Sequence, residues 1–283
     1  MNASGDRRRA LGLLALWCAG LVTVAWPTVA HLAGLWSDSD AYQSAWLVLP
    51  TLVYLAAGPW RERIAAPAPR PSLLGLALLV PGAALWLVGV GRDLMAAQHL
   101  GLVLALLAGV PLIVGVAVCR RALPVLLLPL LLVPNGDLLM PLLQPLTLFW
   151  VQCYGWLLDL PLSVDGYAVA IDGLRYRIVP ACAGLPVFNL FLFIGFALGL
   201  VLYRRLAPVL ALAAALAALA VLANALRVAT IVHLDRLRDT QMTLADHQDV
   251  QFWIVGACLL LIVAVVTRLG RGPAAAGAAL TPA

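Results

Sequence analysis

Residues 206–232 read LAPVLALAAALAALAVLANALRVATIV, and Arg227 is the only charged residue in this apolar run. About 20 apolar residues are enough for a helix to cross the hydrocarbon core of a membrane, so the run is predicted to form a transmembrane helix. A charged side chain inside such a helix is costly and marks a candidate functional position. Asn224 lies three residues before Arg227 and therefore shares its helix face.

The composition of the whole chain agrees with this first stretch. Of its 283 residues, 64% are hydrophobic and 11% are charged, whereas about a quarter of a soluble domain is charged. These values exclude a soluble globular protein, a disordered chain and a coiled coil. The sequence has no lysine and one glutamate, Glu62, which excludes a Ser–Lys dyad, a lysine Schiff base and a paired-glutamate site.

The other apolar runs extend this prediction to an all-α polytopic membrane protein with about eight transmembrane helices. The segment 122–160 is apolar but contains five prolines, and we predict one crossing with a broken, re-entrant or interfacial piece around Pro134 and Asp137. The other seven predicted crossings are 10–33, 45–60, 72–91, 98–118, 185–203, 206–232 and 250–268.

The arginines predict the orientation of these crossings, because cytoplasmic loops are enriched in basic residues. The net charge is +5, and the arginines occur as pairs and triplets between apolar runs. This distribution is typical of membrane topology and not of nucleic-acid binding. We predict a multi-pass protein of the cell inner (cytoplasmic) membrane with both termini in the cytoplasm. Residues 1–270 are predicted to form a single transmembrane domain, followed by a disordered cytoplasmic tail, 271–283. The marker arginines are Arg7, Arg8, Arg9, Arg61, Arg63, Arg70, Arg120, Arg121, Arg204, Arg205, Arg268 and Arg271.

One predicted outer segment has a different pattern from the helices. Within 167–179, two short runs rich in β-branched and aromatic residues flank Asp172 and Gly173, which predicts a small β-hairpin with an Asp-Gly turn. The hairpin leads directly to Cys182. The start of the next helix supplies unpaired N–H groups and a positive dipole end, which favour a thiolate, so Cys182 is the candidate nucleophile. The other four cysteines lie in apolar runs and are predicted to be buried structural residues.

The candidate partners of this thiol lie on the same predicted outer face. Arg227 is expected to stabilise a thiolate or an oxyanion. Two histidines are alternative bases: His233 lies six residues after Arg227, and His247 precedes the last span beside Asp246. A Cys–His–Arg set is suited to thiol acyl transfer. Metal ligation is disfavoured because no ligand pair has the usual spacing, and no cofactor is expected.

At these residues the chain resembles the exosortase/archaeosortase family of integral-membrane cysteine transpeptidases. The resemblance rests on 179–185, which is similar to the family's ACSGL element, on 224–227, which is similar to its N-x-x-R element, and on Asp246-His247 before the last span. The stretches 36–50 and 143–166 also resemble the family. Two positions depart from the pattern: Ala183 replaces the serine after the nucleophile, and Pro186 replaces a polar residue.

The resemblance implies that Cys182 is the nucleophile, Arg227 the stabiliser of the thiolate or transition state, and His247 the general acid/base, with Asn224 supporting the oxyanion or substrate. It also implies the partners: exported proteins with a C-terminal sorting signal, membrane lipid and an unknown acceptor. The signal is a short motif such as PEP, a transmembrane helix and a basic cluster. In bacteria, enzymes of this family often accompany exopolysaccharide loci. Two other classes are kept as alternatives, a transporter or lipid-handling protein that uses Arg227 as an anion site, and a membrane scaffold.

Overall fold

The computed structural model describes residues 3–178, 180–238 and 243–270, and most of these residues are helical. The helices are α1 (Ala3–Val24), α2 (Trp26–Asp38), α3 (Val48–Ala57), α4 (Arg61–Ala65), α5 (Leu76–Arg92), α6 (Met95–Gly109), α7 (Val116–Leu126), α8 (Gly136–Leu157), α9 (Leu185–Leu202), α10 (Leu206–Arg238) and α11 (Leu244–Gly270). The strands are β1 (Leu162–Asp165), β2 (Ala168–Ile171) and β3 (Leu174–Arg177).

The helices confirm a multi-pass membrane protein, but the count of eight crossings is not confirmed. Within the described residues, five helical segments are long and apolar enough to span a membrane, or six if the bent pair α1–α2 is counted as one span. That pair is bent by 87°, and Pro27 lies in the first turn of α2, where proline is tolerated. The predicted crossing 45–60 forms only the shorter apolar helix Gln43–Ala57. The five segments are Leu73–Arg92, Met95–Val114, Leu185–Leu202, Leu206–Arg238 and Asp246–Arg268.

The proline-rich segment 122–160 is broken at the predicted place. A 3₁₀ turn, Leu128–Leu132, follows α7, and the backbone becomes extended at Val133. Pro134 comes next, and α8 begins at Gly136. Proline disfavours a helical conformation in the residue before it, which explains a break here. Pro141 and Pro145 lie inside α8, which continues through them.

One compact unit consists of residues up to Leu139 together with Phe188–Ala218. Trp60 is completely buried in its core and donates its indole N–H to Leu200 O at 2.8 Å. The guanidinium groups of Arg63 and Arg204 lie 5.7 and 5.3 Å from the centre of the Trp60 ring, which is cation–π distance. These two predicted cytoplasmic arginines therefore lie at the same end of the unit. Which side of the membrane that end faces stays a prediction.

The second compact unit contains Met140–Val187 and the chain from Leu219 onward. Its antiparallel sheet has the strand order β1-β2-β3, and β2 and β3 form the predicted hairpin. Asp172 and Gly173 both have positive φ, 53° and 83°, as expected for the tight turn that an Asp-Gly pair favours. The strand β1, Leu162–Asp165, was not predicted.

The sheet packs on α8 and α10 through one apolar cluster. Val169 and Ile171 of β2 are buried, and alternate residues of this strand are more exposed, since successive side chains point to opposite faces. The cluster comprises Val151, Val169, Ile171, Ile178, Val228 and Val232. An exposed ion pair between Arg236 Nε and Asp172 Oδ2, 2.9 Å long, also joins α10 to the hairpin turn. The predicted single domain over 1–270 stays a prediction, and the predicted tail, 271–283, lies outside the described residues.

Candidate active site

A cavity of about 220 Å³ lies in the second unit. Residues from α8, β3, α10, the beginning of α11 and the turn before α9 line it. Three arginines and one aspartate supply its charged groups, and aliphatic side chains supply most of the rest. The lining residues are Val151, Arg175, Tyr176, Arg177, Ile178, Cys182, Arg227, Val228, Ile231, Val232, Asp235 and His247.

Cys182 reaches this cavity from a short irregular connection. After β3 ends, Pro180–Ala183 forms a 3₁₀ turn, Gly184 adopts the left-handed conformation with φ 80°, and α9 begins at Leu185. Cys182 is a half-buried free thiol three residues before the helix. The prediction placed it between a strand and a helix N-terminus, and the structure has this arrangement, with the 3₁₀ turn as an additional element.

Gly184 is required by both its backbone and its surroundings. A Cβ atom added there would lie 2.5 Å from Asn224 Cγ and 2.8 Å from Asn224 Oδ1. Such distances are shorter than carbon atoms tolerate, so α10 and the turn approach each other this closely only because residue 184 has no side chain. The positive φ is a second reason, since residues with a Cβ rarely adopt it.

Replacing Gly184 with alanine is therefore expected to destabilise the protein and reduce its activity. The matched control is Gly173→Ala, because Gly173 has φ +83° but nothing within 4 Å of the added Cβ. The control measures backbone strain alone, about 1–2 kcal/mol. Gly184→Ala adds a steric clash, and overpacking typically costs about 1–3 kcal/mol more. Thermal unfolding in detergent measures both variants, and equal losses would contradict the close approach at Asn224.

Asn224 connects the turn to two helices. Its side chain is 3% exposed, and its Nδ2 donates to Cys182 O at 3.0 Å and to Thr147 Oγ1 at 3.2 Å. Thr147 in turn donates to Leu143 O at 2.9 Å. Asn224 Oδ1 is buried and has no hydrogen-bond partner among the described residues. The predicted shared face of Asn224 and Arg227 is thus the face of α10 that meets the Cys182 turn.

Arg227 lines the cavity with Cys182. Its guanidinium interacts electrostatically with the Cys182 sulfur. The Nε atom of Arg227 is buried and has no hydrogen-bond partner in the described part of the chain. A buried donor without a partner is costly, and here it belongs to a cation next to a thiol. The guanidinium of Arg227 therefore has unsatisfied hydrogen-bonding capacity beside the cavity that this residue lines.

His247 is placed by the start of α11. Thr243 and Asp246 form a reciprocal cap: Thr243 N donates to Asp246 Oδ2 at 2.9 Å, and Asp246 N donates to Thr243 Oγ1 at 3.3 Å. His247 N makes the next backbone bond, to Thr243 O at 3.1 Å. Its side chain lines the cavity. Asp246, which the sequence places beside His247, is occupied by this cap and by a 4.0 Å contact with Arg238.

His233 is held elsewhere. Its Nδ1 lies 3.1 Å from the hydroxyl of Tyr154, in an exposed position, and it is not among the residues that line the cavity. The structure therefore brings together Cys182, Arg227 and His247 of the predicted residues, with Asn224 behind them, and leaves His233 apart.

Asp235 is a cavity residue that the sequence reasoning missed. It is 1% exposed and accepts a hydrogen bond from the Tyr176 hydroxyl at 3.0 Å. Burial and this contact with Asp235 raise the pKa of Tyr176 far above its usual value, so the phenol stays protonated and remains a donor. The available signal was a charge eight residues after Arg227, just over two turns further along α10.

Metal-binding clusters and the free cysteine of α8 are the other possible sources of reactivity in the described residues. Within 3–178, 180–238 and 243–270, no group of three or more His, Cys, Asp or Glu side chains is arranged to hold a metal ion. Cys153, the free cysteine of α8, does not line the cavity.

Comparison with known proteins adds one finding. The family model described as transmembrane exosortase (Exosortase_EpsH) matches residues 36–264. The match covers more than half of the chain and includes every residue of the cavity. No curated protein and no solved structure matches the chain.

Proposed function

The chain belongs to the transmembrane exosortase family, and on this basis we propose that it is a membrane-embedded cysteine transpeptidase. Its substrates are exported proteins with a C-terminal sorting signal, made of a short motif, a transmembrane helix and a basic cluster. The enzyme cleaves the signal on the extracytoplasmic face and transfers the new carboxyl end to an acceptor. The observation that carries the proposal is that Cys182, Arg227 and His247 line one cavity although they come from three separate segments.

The first half-reaction forms a thioester. The Cys182 thiolate attacks the scissile carbonyl carbon, and the carbonyl oxygen becomes an oxyanion. Arg227, which lines the cavity with Cys182, stabilises this oxyanion through its guanidinium N–H donors. When the C–N bond breaks, protonated His247 transfers its proton to the leaving amine. The sorting signal departs with a new N-terminus, and the protein remains attached to Cys182.

The second half-reaction regenerates the enzyme. An amine or hydroxyl of the acceptor attacks the thioester carbon, and neutral His247 accepts the proton that this nucleophile loses. Collapse of the second tetrahedral intermediate breaks the C–S bond and releases the Cys182 thiolate. The new bond is an amide or an ester, and His247 is again protonated for the next substrate.

The proposed setting follows from the arginine distribution. The enzyme lies in the inner membrane with both termini in the cytoplasm. In this orientation the cavity opens toward the outer, extracytoplasmic face. The side chains of Arg63 and Arg204, which contact the same ring in the first unit, support placing these two predicted cytoplasmic loops on one side. Membrane lipid surrounds the apolar helices.

Mass spectrometry of a candidate substrate tests the proposed reaction. The substrate is coexpressed with the wild-type enzyme, and its mature C-terminus is determined. We expect loss of the terminal helix and basic cluster, with the new carboxyl group joined to an acceptor or, if water replaces the acceptor, free. An intact C-terminus on every candidate, together with a solute or lipid flux that depends on Arg227, would instead support a transporter.

The two histidines give a direct test of the site. Alanine at position 247 is expected to reduce processing about 100-fold or more, since it removes the group that transfers the proton. His233→Ala is the matched control and is expected to remain within about threefold of wild type, because it loses only a partly exposed contact with Tyr154. Initial rates of substrate cleavage measure both. A larger loss for His233→Ala than for His247→Ala would reverse the assignment.

A further inference from the structure

Thr147 is a buried polar residue behind the cavity. It lies on α8, is 4% exposed, and is not among the residues that line the cavity, so it does not contact a bound substrate there. Its hydroxyl donates to Leu143 O, one turn earlier, at 2.9 Å. This bond orients the oxygen so that a remaining lone pair accepts from Asn224 Nδ2 at 3.2 Å.

The hydrogen bonds of Asn224 define what this contact does. A side-chain amide has two N–H donors, and both are used inside the protein: one by Thr147 Oγ1 and the other by Cys182 O. Neither donor is left for the oxyanion of a reaction intermediate. The geometry thus gives Asn224 the function of holding the main chain of the nucleophile, while Arg227 Nε is the donor without a partner among the described residues.

We propose that Thr147 is a positioning residue for Cys182, acting through Asn224. The inference rests on the proposed function, because it concerns the same nucleophile. The Cys182 carbonyl belongs to a four-residue 3₁₀ turn, a type of turn with poor internal hydrogen-bond geometry. The bond from Asn224 fixes this carbonyl, and Thr147 fixes the amide plane of Asn224. The Cys182 sulfur is thereby held beside Arg227 in the cavity.

Two substitutions at position 147 distinguish the effect of losing the hydroxyl group from the effect of changing the shape of the side chain. Thr147→Val keeps the volume but removes the acceptor, which leaves a buried amide N–H of Asn224 without its partner. Thr147→Ser keeps the hydroxyl and removes only a methyl group. The matched control is Thr230→Val on α10: Thr230 Oγ1 makes the same one-turn bond, to Leu226 O at 2.8 Å, but it is not a partner of Asn224.

Kinetics of substrate processing provide the first readout. Thr147→Val is expected to lower kcat about 10-fold or more, because Asn224, with one amide donor unsatisfied, then holds the Cys182 turn less firmly, and KM is expected to remain within about twofold of wild type. Thr147→Ser is expected to restore kcat to within about threefold of wild type, and Thr230→Val to change it by no more than that. The rates are referred to the folded fraction of each variant, because loss of folded protein alone would lower the apparent kcat at unchanged KM.

The second readout needs no substrate. Iodoacetamide alkylates the free thiols of the detergent-solubilised protein, and peptide-resolved mass spectrometry follows Cys182 separately from Cys153. Thr147→Val is expected to slow alkylation of Cys182 several-fold and to leave that of Cys153 unchanged, whereas Thr147→Ser keeps the wild-type rate for both.

Two results would overturn the inference. One is a Thr147→Val protein with wild-type kcat and a wild-type alkylation rate at Cys182. The other is a Thr147→Ser protein as impaired as Thr147→Val, which would assign the effect to lost packing. Failure of the proposed function is a separate result: substrate processing would then continue without Cys182, whereas the alkylation rates would still report whether Thr147 positions this thiol.

Discussion

Replacing Cys182 with alanine is expected to abolish cleavage of the sorting signal, with a loss of at least about 1,000-fold in rate. The reason is chemical, because the thioester cannot form without the sulfur atom. No hydrogen bond in the described residues uses the Cys182 side chain, since Asn224 binds its main-chain carbonyl. The substitution should therefore leave folding and the melting temperature in detergent nearly unchanged.

The control for this variant is Cys153→Ala. Cys153 is also a half-buried free cysteine, and it belongs to the same compact unit but does not line the cavity. Its substitution should keep wild-type processing. Mass spectrometry of the substrate C-terminus compares the two variants, and a search for an acyl adduct on the Cys182 peptide of the wild-type enzyme tests the intermediate directly. Efficient processing by the Cys182→Ala protein would eliminate the thioester mechanism at Cys182.

Replacing Arg227 with lysine is expected to cost about 100-fold or more in kcat, although the positive charge is retained. Lysine has a methylene group where arginine has Nε, so the buried donor that lacks a partner among the described residues disappears. The planar fork of the guanidinium is also lost. Removal of a single oxyanion donor typically costs about 10²–10³-fold, or about 3–4 kcal/mol. The loss should fall on kcat rather than KM, because the oxyanion exists only after attack.

Arg236→Lys is the matched control for this second variant. Arg236 lies on the same helix, is partly exposed, and binds Asp172 of the hairpin turn at 2.9 Å, outside the cavity lining. Exposed ion pairs contribute little, so kcat and KM should remain close to wild type. Steady-state kinetics on a purified substrate measure both variants. An Arg227→Lys protein that retains wild-type kcat would show that charge alone suffices and that Nε is not the oxyanion donor.

Local patterns predicted several features of the fold correctly. The apolar run 206–232 forms α10, and the Asp172-Gly173 pair forms the hairpin turn with two positive φ angles. Such features depend on residues close in sequence, either through the apolar length that a membrane requires or through the backbone freedom of two turn residues. The number of crossings was harder to predict, because the bend of 87° after α1 and the short helix Gln43–Ala57 depend on how each apolar run packs in the fold.

Some residues of the candidate site were likewise predictable from sequence, and others were not. Sequence alone identified Cys182, Arg227 and a pair of histidines, since few polar groups occur in a chain that is 64% hydrophobic. Local patterns left His247 and His233 as alternative bases, and only the family resemblance favoured His247. Asp246, which is adjacent to His247 in sequence, caps α11. Sequence alone also missed Asp235 and Thr147, because a buried aspartate or threonine has no local signature that separates it from a solvated one.

The sequence by itself determined that apolar helices of this protein lie in lipid, and it determined which few polar groups are present, among them five thiols and an arginine within an apolar run. Only the tertiary structure decided which groups meet. Asn224 joins Thr147 and Cys182, which lie 77 and 42 residues away in the chain, and Gly184 permits that approach. The physical reason is that a buried hydrogen-bond donor must find its partner among whatever groups packing brings within about 3 Å, and sequence distance does not constrain that choice.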